Sequence, residues 1–297
     1  MTAANHLPLR QFRDHRRNWR DNFYVYPVIS RRSGGLSIGL NLNPDTACNF
    51  DCVYCQVDRT GEPRVREVDV ARLGDELSQM IGDAQSGTLF DDPAFLDVSP
   101  DQRTVKDVAF SGDGEPTTCV YFPECVELVA QRKRQAGLEQ AKIVLITDAC
   151  YLTKPRVVEA LAVMDQHNGQ IWAKLDAGTE AYYQKINRPN YPLRHVMANI
   201  IAAAGVRPVV IQSLFMRLHG VGPAEAELAA FVDRLQEITQ GGGKIDHVQV
   251  YTVARRPTES YVTPLSDEEV ETIARLVERH AQVRVRVYYG AGTEVRS

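Results

Sequence analysis

The 297-residue chain reads as an α/β protein whose parallel sheet closes into a barrel or partial barrel. Two observations predict this. Short apolar, β-branched runs recur seven times, and a helical stretch separates most of them from the next. Strands that alternate with helices pair in parallel, because each crossover returns through a helix. The runs are Leu36–Leu42, Val105–Phe110, Lys142–Ile146, Gln170–Leu175, Pro208–Phe215, His247–Val253 and Val283–Tyr288. Helices are expected near 69–82, 121–136, 155–165, 192–205, 223–240 and 267–281. Three helix starts carry their own cues: Thr153-Lys154-Pro155, Gly222-Pro223, and Ser266-Asp267-Glu268-Glu269, which resembles a capping box. Six or seven such units suit a barrel with its site at the C-terminal strand ends. A doubly wound open sheet fits the alternation nearly as well, and spacing alone does not separate the two.

Composition bounds the class. Apolar residues make up 44% and charged residues 24%, as in an ordinary globular enzyme. A chain of this size buries roughly three quarters of its unfolded surface and needs no covalent staples. The net charge of −4 and pI near 6.0 do not mark a nucleic-acid binder. The charge is uneven, however. Residues 1–35 form a basic extension with seven arginines against Asp14 and Asp21. No secretory leader and no apolar run of membrane-spanning length are seen, which predicts a cytoplasmic protein with no membrane partner. In that reducing compartment the six cysteines are expected to bind metal or to pack, not to form disulfides. Residues 83–104, rich in Asp, Gly, Ser and Pro, read as an exposed insertion within one domain spanning 36–297. Gly241-Gly242-Gly243 reads as a flexible turn without P-loop spacing.

Two segments carry chemistry. The first is Cys48-Asn49-Phe50-Asp51-Cys52-Val53-Tyr54-Cys55, directly after the first predicted strand. Its three thiols are one short of a closed four-ligand site. Soft thiolates select zinc or iron–sulfur chemistry, and a missing ligand leaves an open position for a small molecule. A structural zinc with a distant fourth ligand is the plain alternative. The second segment, Ser111-Gly112-Asp113-Gly114-Glu115-Pro116-Thr117, ends the second predicted strand. Glycines there permit positive φ or close backbone approach, and Glu115 offers a carboxylate to an ammonium group.

Together these segments resemble the radical S-adenosylmethionine (SAM) superfamily. The cysteine loop matches its C-x3-C-x-(aromatic)-C signature, with Tyr54 as the aromatic. Gly112–Pro116 is similar to its glycine–glycine–glutamate motif, with Asp113 in place of one glycine. Leu145–Asp148, Ala173–Gly178, Ile186-Asn187-Arg188-Pro189 and Tyr251–Pro257 are similar to the wyosine (tRNA-imidazoG37) synthetase-like branch.

The resemblance implies a partial (β/α)6 TIM-like barrel with a C-terminal strand. It implies that Cys48, Cys52 and Cys55 ligate a [4Fe–4S] cluster and that SAM chelates the fourth iron. Reductive cleavage of SAM would then yield a 5′-deoxyadenosyl radical that modifies a substrate: an RNA base, a peptide or a small molecule. Tyr54 is implied near the adenine, Gly114 and Glu115 at the methionine amino end, and Gly112 among the cofactor-binding residues of the same turn. Thr147 is implied by the methionine or ribose, Lys174 and Asp176 at the carboxylate and ribose, and Val253 at the adenine through its backbone. An electron donor such as flavodoxin or ferredoxin is the implied partner.

Other readings stay open. A buried Lys174 without an acid partner is costly, and Asp176 pairs with it if the strand twists. The pair is therefore either a satisfied ion pair or a set of cofactor contacts. Cys119, Cys125 and Cys150 read as packed thiols, too few for a second cluster. The basic stretch Arg10–Arg20, with Phe12 and Trp19, suits either a solvated helix over the barrel or an RNA contact. Lys185 and Arg188 add a smaller basic group near the presumed mouth. A glycyl-radical-type activating enzyme and a non-catalytic zinc or iron–sulfur protein are the alternative functions.

Overall fold

The computed structural model describes residues 19–57 and 67–290. Its strands are β1 (Val25–Ser30), β2 (Gly35–Leu40), β3 (Val105–Phe110), β4 (Lys142–Thr147), β5 (Gly169–Lys174), β6 (Val209–Leu218), β7 (Ile245–Thr252), β8 (Val262–Pro264) and β9 (Val285–Tyr288). Its helices are α1 (Val70–Ser86), α2 (Phe122–Gln135), α3 (Pro155–Gln166), α4 (Glu180–Asn187), α5 (Leu193–Val206), α6 (Glu225–Gln240) and α7 (Asp267–Ala281).

All seven sequence-predicted strands are present, as β2 to β7 and β9. They lie side by side in chain order and in parallel. A doubly wound sheet must reverse its order at a switch point. This one never does, so the crossovers wind one way and the sheet curls into a half-barrel. β1 adds an antiparallel strand to β2, and β8 pairs antiparallel with β6.

The curl separates two apolar clusters by the two-residue period of the strands. Val108, Phe110, Ile143, Leu145, Ile171 and Ile211 belong to the large core cluster. Their neighbours Ala109, Val144, Trp172 and Val210 form a small cluster of their own, with Ile146 against it. Two of the three helix-start cues mark the observed starts, while α6 begins at Glu225, two residues after Pro223. Pro155 opens α3, and Ser266 and Glu269 form the capping box of α7.

Three sequence expectations change. Residues 25–35, assigned to the basic extension, form β1 and the hairpin into β2, because Tyr24, Val25 and Ile29 are buried. Arg10–Phe12 and most of the basic stretch lie outside the described residues. At its end, Trp19 packs edge-on to Phe95, and Arg20 pairs with Asp83 at 3.8 Å and Asp92 at 3.6 Å. The segment 83–104 is not simply exposed. It finishes α1 and buries Leu89, Phe90, Phe95 and Val98 in the core among its polar residues. The eight-residue α4 and three-residue β8 are absent from the sequence reading, being too short for a periodic signal.

Candidate functional site

The cysteine loop leaves β2 and is tied down on three sides. Toward β3, Asn41 Oδ1 accepts from the backbone N–H groups of both Asn43 and Asp113, each at 3.1 Å. Asn41 Nδ2 donates to Asp113 Oδ2 at 2.7 Å, and the Glu115 N–H donates to the Ala47 carbonyl at 2.9 Å. Toward α4, the N–H groups of Asp51 and Val53 donate to the carbonyls of Asn187 and Ile186, each at 2.9 Å. A helix leaves its last carbonyls without internal partners, and the loop supplies them. Toward the segment after β7, the Cys55 carbonyl accepts from the Thr258 N–H at 3.0 Å.

The two glycines of the β3 turn serve this docking. Gly112 has φ +154°, and a Cβ there would lie 2.4 Å from Asn41 Oδ1. A Cβ at Gly114 would lie 2.0 Å from the Ala47 carbonyl oxygen. Close backbone approach is thus required, but by the cysteine loop itself. Glu115 is buried and already satisfied within the protein. Its Oε1 accepts from Thr117 N–H at 3.1 Å, Thr117 Oγ1 at 2.5 Å and Thr147 Oγ1 at 2.8 Å; its Oε2 accepts from Asp148 N–H at 2.6 Å. Burial, reinforced by nearby Asp148, pushes its pKa up to about 8. Glu115 thereby binds the β3 tip to the β4 tip. Asp148 turns its own carboxylate to Asn49 Nδ2 at 3.0 Å and the Cys150 N–H at 2.9 Å.

At the β5 tip, Lys174 Nζ lies 3.5 Å from Asp176 Oδ2 and 3.2 Å from the Tyr251 hydroxyl. The ion pair therefore forms. Burial opposes the charge of Lys174, yet Asp176 and Tyr251 hold its pKa above the ordinary lysine value. Asp176 is saturated. It accepts from the Tyr54 hydroxyl, from Asn187 Nδ2 at 3.1 Å and from the Leu214 N–H at 2.8 Å. Burial and Asp176 both push the Tyr54 hydroxyl to a higher pKa.

Cys48, Cys52, Tyr54, Cys55, Gly112, Gly114, Glu115, Thr147, Lys174 and Val253 all line one cavity of about 380 Å³ inside the curl. Of the sequence-predicted site residues, only Asp176 stands behind that wall. Asn187, to which the sequence reading gave no role, also contacts the cysteine loop. Its Nδ2 also reaches Cys52 Sγ at 3.3 Å and the Tyr54 hydroxyl at 3.1 Å. The signal was the segment Ile186–Pro189: Arg188 ends α4 in the left-handed region at φ +43°, and Pro189 cannot continue the helix. Arg188 is no part of a free basic group at the mouth. It pairs with Glu259 at 2.6 Å and Asp51 at 3.3 Å, and donates to the Tyr261 hydroxyl at 3.0 Å.

The donor set fits an iron–sulfur group. All six cysteines are among the described residues, and none forms a disulfide. Burial raises the pKa of the Cys48 and Cys52 thiols, and a thiolate ligand set at this wall would be stabilised by a bound cation. A single zinc needs its thiolates about 2.3 Å from one centre. Among the described residues, no three His, Cys, Asp or Glu side chains are gathered for one ion. A four-iron cube instead takes each thiolate on a separate iron. Cys125 and Cys150 are buried in the core, and half-buried Cys119 packs against it.

No known protein-family model matches the chain. Among curated proteins it is 22% identical over 263 residues to a protein named GTPase Obg from Brachyspira hyodysenteriae. That match covers 88% of this chain but 34% of the relative. It is 23% identical over 253 residues to UPF0026 protein MJ1312 of Methanocaldococcus jannaschii, covering 84% of this chain and 68% of that protein. The chain therefore spans about a third of the first relative and about two thirds of the second.

Among solved structures, a spore photoproduct lyase variant with a dinucleoside spore photoproduct matches with a TM-score of 0.55 at 12% identity. The match covers 91% of this chain and 80% of that one. SuiB of Streptococcus suis bound to S-adenosylmethionine matches at 0.53 and 13% identity, over 87% and 49% of the two chains. TYW1 with a lysine–pyruvate adduct bound matches at 0.51 and 14%, over 85% and 75%. These likenesses establish a shared partial-barrel fold.

Proposed function

We propose that the chain is a radical SAM enzyme. One observation carries the reading: a three-cysteine loop and the tips of β3, β4, β5 and β7 converge on one cavity within a half-barrel. The fold it shares with a structure solved with S-adenosylmethionine bound supports the same reading. Cys48, Cys52 and Cys55 would hold a [4Fe–4S] cluster, which when reduced supplies the electron that cleaves SAM and starts radical chemistry on a substrate.

The chain's own residues orient and shield. Asn187 donates to Cys52 and Tyr54, which fixes the ligand loop against α4. Glu115 aligns the β3 and β4 tips, and so sets where Gly114 and Thr147 face the cavity. Asp176 holds Lys174 as a charged donor at the wall, suited to a carboxylate. Tyr54 and Tyr251 present aromatic surface beside it, suited to a purine. The backbone of Val253 completes that side.

Within this class we read the chain on the wyosine-synthetase-like side, supported by Ile186–Pro189, whose residues hold the cysteine loop. A flavodoxin or ferredoxin would be the electron donor. An RNA base, a peptide and a small molecule are the candidate substrates. Among the described residues no helix is long and apolar enough to cross a membrane. Anaerobic reconstitution with iron and sulfide tests the reading. The expected result is a brown protein that releases 5′-deoxyadenosine with dithionite and SAM. A colourless, zinc-loaded protein without release would sink it.

A further inference from the structure

β1 and β9 are the two edges of the sheet, and no ladder joins them. The tip of the β1–β2 hairpin crosses this open side. Gly34, at φ +72°, turns the chain; its N–H donates to the Ser30 carbonyl at 2.9 Å, and the Ser33 N–H donates to Ser30 Oγ at 3.1 Å. Arg31 and Arg32 project from the turn. Arg31 Nη1 donates to the Tyr289 carbonyl at 2.8 Å, just beyond β9. The Arg32 guanidinium lies 4.4 Å from the ring centre of Tyr251 on β7. Both arginines line the same cavity as the three cysteines.

Two cations meet this cavity on Tyr251, and they differ. Lys174 is already paired with Asp176. Arg32 makes no ion pair with any described residue; its contact is the Tyr251 ring. Asp107, which also lines the cavity, is bonded to the Ser37 hydroxyl instead. Arg31 stands beside Arg32 on the same turn and donates to the Tyr289 carbonyl. A guanidinium braced on an aromatic ring and facing a cavity presents a planar fork of N–H donors, which matches an oxyanion.

We propose that Arg32 recognises an anionic oxygen group, phosphate or carboxylate, on a substrate that enters through the open side of the sheet. The word substrate rests on the radical SAM reading above; the anion site itself does not.

Calorimetric titration of the reconstituted full chain tests this, with inorganic phosphate and acetate in separate arms, each with and without saturating SAM. Saturable binding of phosphate, acetate or both is expected, and the stronger arm names the group. Arg32→Gln should weaken it at least about tenfold, and Arg32→Lys, which keeps the charge but loses the fork, by less. Binding should survive SAM. Failure of both anions to bind overturns the proposal. So does parent-like binding by Arg32→Gln or, if that variant does not fold, parent-like binding by Arg32→Lys. Loss of binding when SAM is added also overturns it, assigning Arg32 to the SAM carboxylate. Release of 5′-deoxyadenosine from the same preparation is scored separately. Release without anion binding sinks this inference alone. Arg32-dependent anion binding without release sinks the enzyme reading and leaves the anion site standing.

Discussion

Neighbouring residues of one strand meet opposite environments in this half-barrel. On β3, Val108 and Phe110 point outward into the main core, while Asp107 and Ala109 point into the curl. The outer face is apolar and closed by packing. The inner face mixes Ser37, Asp107, Lys174 and Gln212 with a small apolar patch, and each polar group there needs a named partner. Packing tolerates exchange of one apolar residue for another of similar volume. A partnered polar wall does not, because removing one member strands the others.

The largest expected effect tests the outer face. Phe110→Ala should cost about 3–5 kcal/mol in urea unfolding, since the ring is fully buried and contacts Phe122 edge-on at 5.3 Å. A cost below about 1 kcal/mol would break the distinction between the faces. Behind the inner face, Asp176→Ala leaves Lys174 without its acid and the Leu214 N–H without its acceptor. A loss of about 3 kcal/mol is expected, with Asp176→Asn losing less because it keeps an acceptor.

Gly114→Ala sharpens the comparison at the join between loop and turn. Its methyl would meet the Ala47 carbonyl, and the expected cost is about 1–3 kcal/mol, read by the same titration. Reconstituted iron content should fall with it, because the cysteine loop must shift.

A pH effect separates two buried lysines. Lys133, on α2, has a carbonyl partner, His167 O at 2.9 Å, and burial lowers its pKa to about 8. Between pH 8 and 10.5 the unfolded chain keeps a proton that the folded chain has lost, so raising pH through that window adds stability through this group. Lys133→Met should therefore be more stable than the parent at pH 7, by on the order of 1 kcal/mol, with the gap closing toward pH 10.5. Thermal midpoints of both proteins across that range check it; a constant gap would refute the assignment. The smallest expected effect on the fold is that of Cys52→Ala. Before metal loading it should change stability by about 1 kcal/mol or less, while abolishing the brown chromophore. Global unfolding of that variant would point to a structural metal instead.

The legibility of the chain followed the same division. Every strand with a continuous apolar run was readable, because burial on both faces leaves that trace in the sequence. The cysteine spacing and the Gly112–Glu115 turn were equally plain, since both are local. β1, α4 and β8 were not, being short or, for β1, hidden beside arginines. The segment 83–104 misled because its few core residues, Leu89, Phe90, Phe95 and Val98, are scattered among polar ones.

By itself the sequence determined the alternation of strands and helices, the ligand loop and the turn that faces it, because each is written within a few consecutive residues. Only the tertiary structure decided the rest. The strand order chose a half-barrel over a doubly wound sheet. Glu115 became a brace between strand tips, Asn187 came to lie against Cys52 across 135 positions, and the β1–β2 turn reached Tyr289 across 258. Contacts between residues so far apart depend on how the sheet curls, and no local pattern encodes that.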